Sequence, residues 1–498
     1  MKKKIVLLVM LLLLVVGGAL VGIYWDPIID WLPIDQSGWD VLDNGGQCYL
    51  DEDGDPITGW QVLDGNTYYF DPDSFAMQIR WITLEDGRYY LYCGSFYGAG
   101  WNILDVTDPA KPRHVKCFEC CAPKEYKAQC TPKIQVADGL MIAAIGGGVP
   151  FLHGTKPEDK AICGLQIYDL KEDPENPKLL SFWSTGTDGM GVHRFAYNGG
   201  RYVYMPAECP GFVGFIVRIL DIADPANPVE CGRWWMPEQF KDGMLPGTYP
   251  EGHAAEKDWA MCHGCTLSPD RPNQLFMGYF AGGGIIVDIA DPTRPKLVSQ
   301  LKVQPPFAGK NCGARCHTYL PLRGRNFAVL TNEGERFPYF TAEKIANGPH
   351  RGAQPMNNLH MIDVSNPADP TLVAEFPYPE VPADFPYPNF NDCGIGCQGP
   401  FGPHNVHEPM GKPWLQDDPN LVYCCYFHAG MRVYDVSDPY YIKELAYFIP
   451  PNPEKPLFGP KLEGPMLGTA EDCVVDDRGY IYMDTLHDGI YILRLKKD

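Results

Sequence analysis

Short alternating runs of apolar and polar residues recur along most of this chain. The run ILDVTDP at 103–109 is an example, because aliphatic residues alternate with polar ones until an Asp-Pro pair ends the run. Alternation with a period of two is typical of a β-strand, and proline fixes φ and begins a turn. A second apolar run, LLSFW at 179–183, follows one of these turns. The pattern predicts antiparallel strands joined by turns.

The apolar strand and the Asp-Pro turn after it form a repeated phrase, which occurs in seven copies. Six copies carry an Asp-Pro or Asn-Pro turn and a last copy keeps only the strand; they lie at 103–112, 167–177, 219–228, 286–295, 361–370, 433–442 and 490–495. About 50 to 75 residues separate successive copies, which fits a four-stranded propeller blade with long loops. Seven copies predict seven blades. The last blade shows three strands, and we expect a strand near 77–84 to complete it and close the ring.

The wording of these strands resembles the LVIVD-repeat proteins, which are extracytoplasmic β-propellers. The resemblance runs from about Met77 to Leu495, and the stretches GVHRFAYNGGRYVYMP, GPHNVHEP and YFHAGMRVYDVSDP add to it. It implies an all-β fold, a seven-bladed β-propeller that occupies residues 80–498.

The N-terminus differs from the rest of the chain. Lys2 to Lys4 precede an unbroken apolar run from Ile5 to Ile23, and no further Lys or Arg occurs before Arg80. Such a run is long enough to span a membrane, and the lysines place its start in the cytoplasm. We expect residues 1–23 to form an uncleaved transmembrane anchor, with a cleaved signal peptide as the alternative. Either way the remainder is exported, on the outer face of the cell membrane or secreted.

A linker at 24–37 leads to a second repeat, at 38–58 and 59–79, with a period of 21 residues. Each copy has a Trp, an apolar strand, a glycine turn and a Tyr-rich strand. This resembles the choline-binding or glucan-binding cell-wall repeat, and the resemblance implies a β-hairpin stalk with an aromatic cage for a quaternary ammonium group. The matching positions are Trp39, Trp60, Tyr68 and Tyr69. A spacer that lifts the propeller off the membrane is the alternative.

Composition narrows the choice of partners. The formal charge is −21, which disfavours nucleic acid. The 52 glycines and 48 prolines indicate turn-rich β structure. The 18 cysteines favour disulfides in an exported protein, with metal thiolates or redox chemistry as alternatives.

Polar residues recur at the openings of the predicted inner strands. The lead residues of four consecutive blades are histidines, followed by an acidic residue in the last blade: His193, His263, His317, His404 and Glu471. Because equivalent positions of inner strands converge on the propeller axis, we predict that the four imidazoles bind a transition metal. Fe, Cu and Zn all accept imidazole. A metal-free polar pocket and a packed structural axis are the alternatives.

Other candidate residues come just after the predicted second strands, Glu333 and His428, or three residues beyond His404, which is His407. Glu333, His407 and His428 join Glu471 as candidate acids or bases for a substrate at the axis. The chain lacks a phosphate-binding loop, a serine nucleophile elbow and an H-E-x-x-H helix. Two functions remain: a metal-dependent enzyme for a small molecule, with oxidoreductase preferred, or a non-catalytic propeller that binds cell-wall polymer, carbohydrate or a partner protein.

Overall fold

The computed structural model divides the chain into two units, Met1–Thr58 and Gly59–Asp498. It describes the following residues: 38–41, 47–50, 59–63, 66–70, 77–83, 87–95, 100–119, 129–147, 161–186, 191–240, 261–280, 282–302, 316–333, 357–386, 390, 401–453, 468–485 and 489–496. Within these ranges no helix is long and apolar enough to cross a membrane. The predicted anchor at 1–23 lies outside the described residues and stays a prediction.

Both copies of the 21-residue repeat contain an antiparallel hairpin. In the first unit β1 (Gly38–Val41) pairs with β2 (Gln47–Leu50), and Trp39 is opposite Tyr49. At the start of the second unit β3 (Gly59–Leu63) pairs with β4 (Asn66–Phe70), and Trp60 is opposite Tyr69. The side chains of the proposed cage lie outside the described part of the structure.

Seven antiparallel sheets follow in chain order. Sheet 1 contains β5 (Met77–Thr83), β6 (Tyr89–Ser95), β7 (Gly100–Asp105) and β8 (Arg113–Glu119). Sheet 2 contains β9 (Gln129–Cys130), β10 (Ile134–Ala137), β11 (Leu140–Gly147), β12 (Cys163–Asp169) and β13 (Lys178–Gly186). Sheet 3 contains β14 (Tyr202–Ala207), β15 (Ile216–Asp221) and β16 (Val229–Trp234). Sheet 4 contains β17 (Met261–Thr266), β18 (Gln274–Phe280), β19 (Gly283–Asp288) and β20 (Lys296–Leu301).

The remaining sheets have the same order. Sheet 5 contains β21 (Cys316–Pro321), β22 (Phe327–Asn332), β23 (Leu359–Asp363) and β24 (Thr371–Glu375). Sheet 6 contains β25 (Leu421–Cys425), β26 (Met431–Asp435) and β27 (Lys443–Phe448). Sheet 7 contains β28 (Ala470–Val475), β29 (Tyr480–Thr485) and β30 (Ile490–Arg494). A short 3₁₀ helix, Pro237–Gln239, lies between sheets 3 and 4, and the described ranges contain no α-helix.

In six sheets the repeated phrase forms the next-to-last strand and the turn after it. In sheet 3 the Asp221 carboxylate accepts a hydrogen bond from the Ala223 backbone N–H, and Asp224 accepts one from Ala226, each at 3.0 Å. These bonds satisfy the backbone where proline cannot donate, which explains the Asp-x-x-Asp-Pro spacing. A register shift between Ile219 and Leu220 accompanies the turn, and six sheets carry it at the equivalent place.

The core lies between consecutive sheets. One hydrophobic cluster fills each interface; between sheets 3 and 4, for example, Val217 and Ile219 pack with Met277 and Ile285. A further cluster joins sheet 7 to sheet 1. There the Tyr89 hydroxyl also donates to an Asp477 carboxylate oxygen at 3.0 Å. The chain therefore has an all-β, propeller-like fold.

One strand lies in a different sheet from the one expected. Residues 77–83 were predicted to complete the last sheet, but β5 pairs with β6 of sheet 1, with Met77 opposite Ser95. The connection from β5 to β6 is short, and short connections favour an antiparallel hairpin with the next strand. Sheet 7 accordingly has three strands.

Candidate functional site

The inner segments of four consecutive sheets carry the candidate histidines near their starts. His263 is the third residue of β17, and His317 is the second residue of β21. His193 and His404 lie in segments that pair with β14 and β25 through the bridges Val192–Ala207 and Val406–Cys424. Each segment extends the sheet inward by one strand, so the four imidazoles occupy equivalent places.

The four rings form a continuous row. The centroids of His193 and His263 are 4.9 Å apart, those of His263 and His317 are 4.1 Å apart, and those of His317 and His404 are 4.5 Å apart. Phe280 stacks on His263 and Phe427 stacks on His404, each at 4.5 Å between centroids. The row is thus flanked by two apolar rings.

Glu333 lies beside the row, one residue after the end of β22. Its carboxylate oxygens are 3.9 Å from Nε2 of His317 and 3.8 Å from Nε2 of His404. Ligand atoms of His263, His317 and Glu333 all lie within 4.8 Å of one another. The structure therefore brings Glu333, which we predicted as an acid or base, into the group of potential metal ligands.

One nitrogen of this group has an unmet hydrogen-bonding capacity. Nδ1 of His263 is buried and has no hydrogen-bond partner among the described residues. A buried ring nitrogen without a partner is costly unless another group satisfies it. Coordination of a metal ion would satisfy it.

His404 is oriented by sheet 7. Its Nδ1–H donates to the backbone carbonyl oxygen of Glu471 at 2.7 Å, and the Glu471 carboxylate is 3.5 Å from the same nitrogen. Because Nδ1 carries the proton, the lone pair of this neutral imidazole is on Nε2, which faces Glu333. Glu471 thus contacts His404 at Nδ1, whereas Glu333 lies near Nε2 on the other side of the ring.

Arg194 is a site residue that sequence reasoning missed. Its Nη2 donates to the Glu408 carboxylate at 2.6 Å, and its Nη1 donates to the side-chain oxygen of Asn405. The same Nη1 is 3.2 Å from Nε2 of His317, whose Nδ1 lies 2.8 Å from the Thr318 hydroxyl. A charged residue next to His193 in an otherwise buried segment is the signal in the sequence.

Burial keeps the four imidazoles neutral. Burial, reinforced by the nearby charge of Arg194, lowers the pKa of His193 to about 3. Burial also lowers the pKa of His404 to about 3, although its hydrogen bond to Glu471 opposes the shift. The pKa values of His263 and His317 lie well below the ordinary value, chiefly because both rings are buried. Neutral imidazole is the form that binds metals.

A second buried charge cluster lies on sheets 2 and 7. Lys133 donates to the Asp472 carboxylate at 2.8 Å, and both side chains are almost fully buried. Burial, with the charges of Asp472 and Glu471, raises the pKa of Asp484 well above its ordinary value. This cluster lies close to Glu471, the residue that orients His404.

Two predicted acid–base residues have contacts elsewhere. His407 donates from Nε2 to the Gln416 carbonyl oxygen at 2.7 Å and accepts from the Val475 N–H at 3.2 Å. His428 donates to the Phe390 carbonyl oxygen at 2.5 Å and packs against the Phe390 ring. These contacts orient both rings toward backbone groups rather than toward the row of four histidines.

The loop at 408–416, here named the crossing loop, reaches several sheets. Glu408 binds Arg194 of the inner segment of sheet 3, and Nζ of Lys412 donates to the Gln135 side chain of sheet 2 at 2.6 Å. Met410 belongs to the cluster between sheets 3 and 4, and the Gln416 N–H donates to the Val475 carbonyl oxygen of sheet 7 at 3.0 Å.

The expected disulfides find no support in the described residues. Nine cysteines of these ranges are free thiols, most of them buried in the sheets. The sulfur atoms of Cys262 and Cys265 lie 3.9 Å apart. Buried thiols pack as small apolar side chains, which accounts for cysteines inside these strands.

Comparison with known proteins identifies both repeats. The choline-binding repeat family matches residues 37–80, and the LVIVD repeat family matches residues 274–303 and 353–377. No curated protein matches the chain.

Several solved structures are similar to this chain at low identity. The β-propeller domain of Cps50 (Swd1) from Myceliophteria thermophila is 10% identical and matches 88% of this chain and 100% of its own, with a TM-score of 0.47. The periplasmic gluconolactonase of Pseudomonas aeruginosa is 11% identical, with 84% and 96% coverage and a TM-score of 0.47. A hypothetical selenium-binding protein from Sulfolobus tokodaii is 11% identical, with 68% and 88% coverage and a TM-score of 0.33.

Both predicted resemblances are therefore confirmed. The chain carries LVIVD repeats within an all-β, propeller-like fold, preceded by a choline-binding repeat.

Proposed function

We propose that this protein is a membrane-anchored, extracytoplasmic propeller whose axial site binds one transition metal ion and acts on a small molecule. The observation that carries this proposal is the grouping of His263, His317 and Glu333, with ligand atoms within 4.8 Å of one another. His193 and His404 flank them in the row of rings. All four imidazoles are neutral at physiological pH because burial lowers their pKa values.

The donor set favours iron, copper or zinc. Two imidazoles and one carboxylate are the set that open-site iron(II) oxygenases use, and imidazole also suits zinc and copper. The buried Nδ1 of His263, which lacks a partner among the described residues, fits this interpretation. When bound, the metal supplies Lewis acidity or redox chemistry to a substrate at the axis. Oxidoreductase activity is the version that this donor set favours.

The surrounding residues have separate tasks in this proposal. Phe280 and Phe427 exclude water from the row of rings on which they stack. His404 keeps its proton on Nδ1, directed at the Glu471 carbonyl oxygen, which leaves Nε2 for the site. Burial, with the charges of Asp472 and Glu471, raises the pKa of Asp484 nearby. Glu471 remains the candidate acid or base, Glu333 serves as a metal ligand, and His407 and His428 make the backbone contacts described above.

The proposed architecture is a closed ring of seven blades. Its support is the hydrophobic cluster between sheet 7 and sheet 1. Arg478 of sheet 7 adds hydrogen bonds to the backbone oxygens of Thr107 and Val106, at 2.8 and 3.0 Å. Closure removes the exposed edges that an open row of sheets leaves. In this proposal the membrane anchor at 1–23 and the choline-binding repeat attach this ring to the cell surface.

A second candidate function is a metal-free binding propeller for cell-wall polymer, carbohydrate or a partner protein. One observation favours it: the Arg194 guanidinium lies 3.2 Å from Nε2 of His317. A positive group at a ligand nitrogen competes with a cation for the lone pair. In this alternative the row of imidazoles is the polar surface of a binding pocket, and the choline-binding repeats attach the protein to the cell wall.

Metal content separates the two candidates. The full-length chain, purified in detergent, is analysed by elemental mass spectrometry beside the variants His263→Ala and His317→Ala. We expect about one equivalent of metal in the wild type and none in either variant, since each removes a ligand. The control is His114→Ala, whose ring binds Asn102 in sheet 1.

Metal in the wild type and in His114→Ala alone supports the axial site. A wild-type protein that takes up no Fe, Cu or Zn on reconstitution contradicts it and leaves the binding propeller. Metal that persists in both axial variants places the ion elsewhere.

A further inference from the structure

A buried chain of side chains crosses sheet 5 toward the axis. Nδ1–H of His360 donates to the Glu375 carboxylate at 2.6 Å, and the Asn332 amide nitrogen is 2.7 Å from Nε2 of His360. The Asn332 amide oxygen is 3.2 Å from the thiol sulfur of Cys316. His360, Asn332 and Cys316 are fully buried, whereas the Glu375 side chain is 31% exposed. This series of hydrogen-bonded side chains thus begins near solvent at Glu375 and ends in the interior at Cys316.

Glu375 sets the direction of every hydrogen bond in this series of side chains. A carboxylate accepts, so Nδ1 of His360 carries the proton and Nε2 has the lone pair. The Asn332 NH₂ group must then face His360, which turns its carbonyl oxygen toward the Cys316 thiol. An amide that has only one permitted orientation loses little further entropy when its neighbours bind a ligand.

The inner end of this chain lies directly beside two proposed ligands. Asn332 is the last residue of β22 and precedes Glu333, and Cys316 is the first residue of β21 and precedes His317. Asn332 and Cys316 are opposite each other in the pairing of these strands. The Asn332 N–H also donates to the Asn358 carbonyl oxygen at 3.1 Å. The backbone is therefore held at the point where both ligands leave the sheet.

We infer that Glu375, His360 and Asn332 are positioning residues that fix Glu333 and His317 in their metal-binding geometry. The inference rests on the proposed metal site and names how that site is held. Partners of metal ligands orient the donor atoms, and their loss weakens metal binding by about 10- to 100-fold. None of the three residues belongs to the proposed ligand set, so their effect passes through Asn332 and Cys316 to the adjoining ligands.

Cobalt(II) binding to the full-length chain tests the inference, because its visible spectrum reports the number and geometry of ligands. His360→Phe keeps a ring but removes both hydrogen bonds. We expect about 10- to 100-fold weaker Co²⁺ binding and an altered spectrum. Glu375→Leu should give the same result, while Glu375→Gln keeps an acceptor for Nδ1–H and should stay close to the wild type. A purely structural role predicts lower stability in the variants with an unchanged spectrum.

Each result decides a separate point. Wild-type affinity and spectrum in both His360→Phe and Glu375→Leu overturn the inference. If His360→Phe does not fold, the comparison of Glu375→Leu with Glu375→Gln tests the inference, because the Glu375 side chain is partly exposed. If the wild type itself binds no Co²⁺, the proposed metal site fails. Crystal structures of metal-free wild type and Glu375→Leu then decide the positioning role: a displaced Asn332 amide and Glu333 carboxylate support it, and coincident positions overturn it.

Discussion

At the scale of single residues, neutral histidines in a buried row determine how the site responds to acid. An imidazole that is neutral in the folded protein and ionises freely when unfolded makes the folded state less stable at low pH. His193 shows this most directly, because burial and Arg194 lower its pKa to about 3 from an ordinary 6.5. Between these two values the unfolded chain binds a proton that the folded chain does not.

The first prediction concerns His193→Gln. Because a folded-state pKa below the unfolded one makes stability rise with pH, the wild type loses stability relative to the variant as the pH falls from 6.5 toward 3. The difference in free energy of unfolding should change by about 1.4 kcal/mol per pH unit for one proton. Urea unfolding at several pH values between about 4.5 and 7.5 measures it. A difference that is constant over this range contradicts a buried neutral His193.

Arg194 and Glu333 show where sequence reasoning about residues ends. The register of the repeats alone places four histidines at equivalent positions: His193, His263, His317 and His404. Arg194 has partners more than 200 residues away, Asn405 and Glu408, so no local pattern shows its role. Glu333 reaches the row because the second strand of a sheet ends where the first begins, which requires the pairing of β21 with β22.

At the scale of elements, glycines at the starts of two next-to-last strands allow these strands to lie close to the last strand of their sheet. A Cβ added to Gly283 of β19 would lie 2.0 Å from the Leu301 carbonyl oxygen of β20. A Cβ at Gly430, just before β26, would lie 2.1 Å from the Phe448 carbonyl oxygen of β27. Both glycines have a positive φ. The neighbouring strands approach this closely only where a side chain is absent.

The second prediction compares Gly283→Ala with Gly324→Ala. Both positions have a positive φ, of 89° and 68°, but open space surrounds Gly324. Alanine at 324 should cost about 1 kcal/mol of backbone strain, whereas alanine at 283 also separates β19 from β20 and should cost about 4 kcal/mol or more. Chemical denaturation of both variants provides the comparison. Equal losses of stability would show that the strand contact at Gly283 has no role.

The pattern of the sequence predicts elements better than it predicts which sheet they join. The Asp-Pro phrase predicts one strand of each sheet and the turn after it, because the hydrogen bonds of the turn are local, as in Asp221 with Ala223. The pairing of β5 depends on the competition between sheet 1 and sheet 7 for one strand. An alternating pattern is compatible with pairing in either sheet, so the pattern alone does not identify the partner. The short connection to β6 favours sheet 1.

At the scale of the whole molecule, the chain combines a choline-binding repeat with LVIVD repeats in a propeller-like fold. The repeat matches residues 37–80, and its hairpins β1–β2 and β3–β4 contain the positions of the proposed aromatic cage. The side chains of Trp39, Trp60, Tyr68 and Tyr69 lie outside the described residues. Their role stays a prediction from the family resemblance.

The third prediction is that the full-length chain binds choline through this repeat. Retention on a choline-substituted matrix and release by free choline measure the interaction. Trp60→Ala should abolish retention because it removes a face for cation–π attraction. The control is Trp235→Ala, a partly exposed tryptophan after sheet 3. If Trp60→Ala is still retained, or if the wild type is not retained at all, the result favours a repeat that serves only as a spacer.

The crossing loop makes contacts between parts of the chain that are far apart in sequence, and from these we expect a particular order of folding. In solenoid repeats each unit contacts its neighbours, so folding begins anywhere and spreads. Lys412 instead binds Gln135, 277 residues earlier in the sequence, and Gln416 binds Val475 near the C-terminal end. Contacts between such distant residues slow folding, because long loops must close before the contacts form. Sheets 2 and 7 must both be in place before the loop docks, so folding ends cooperatively with the loop among its last steps.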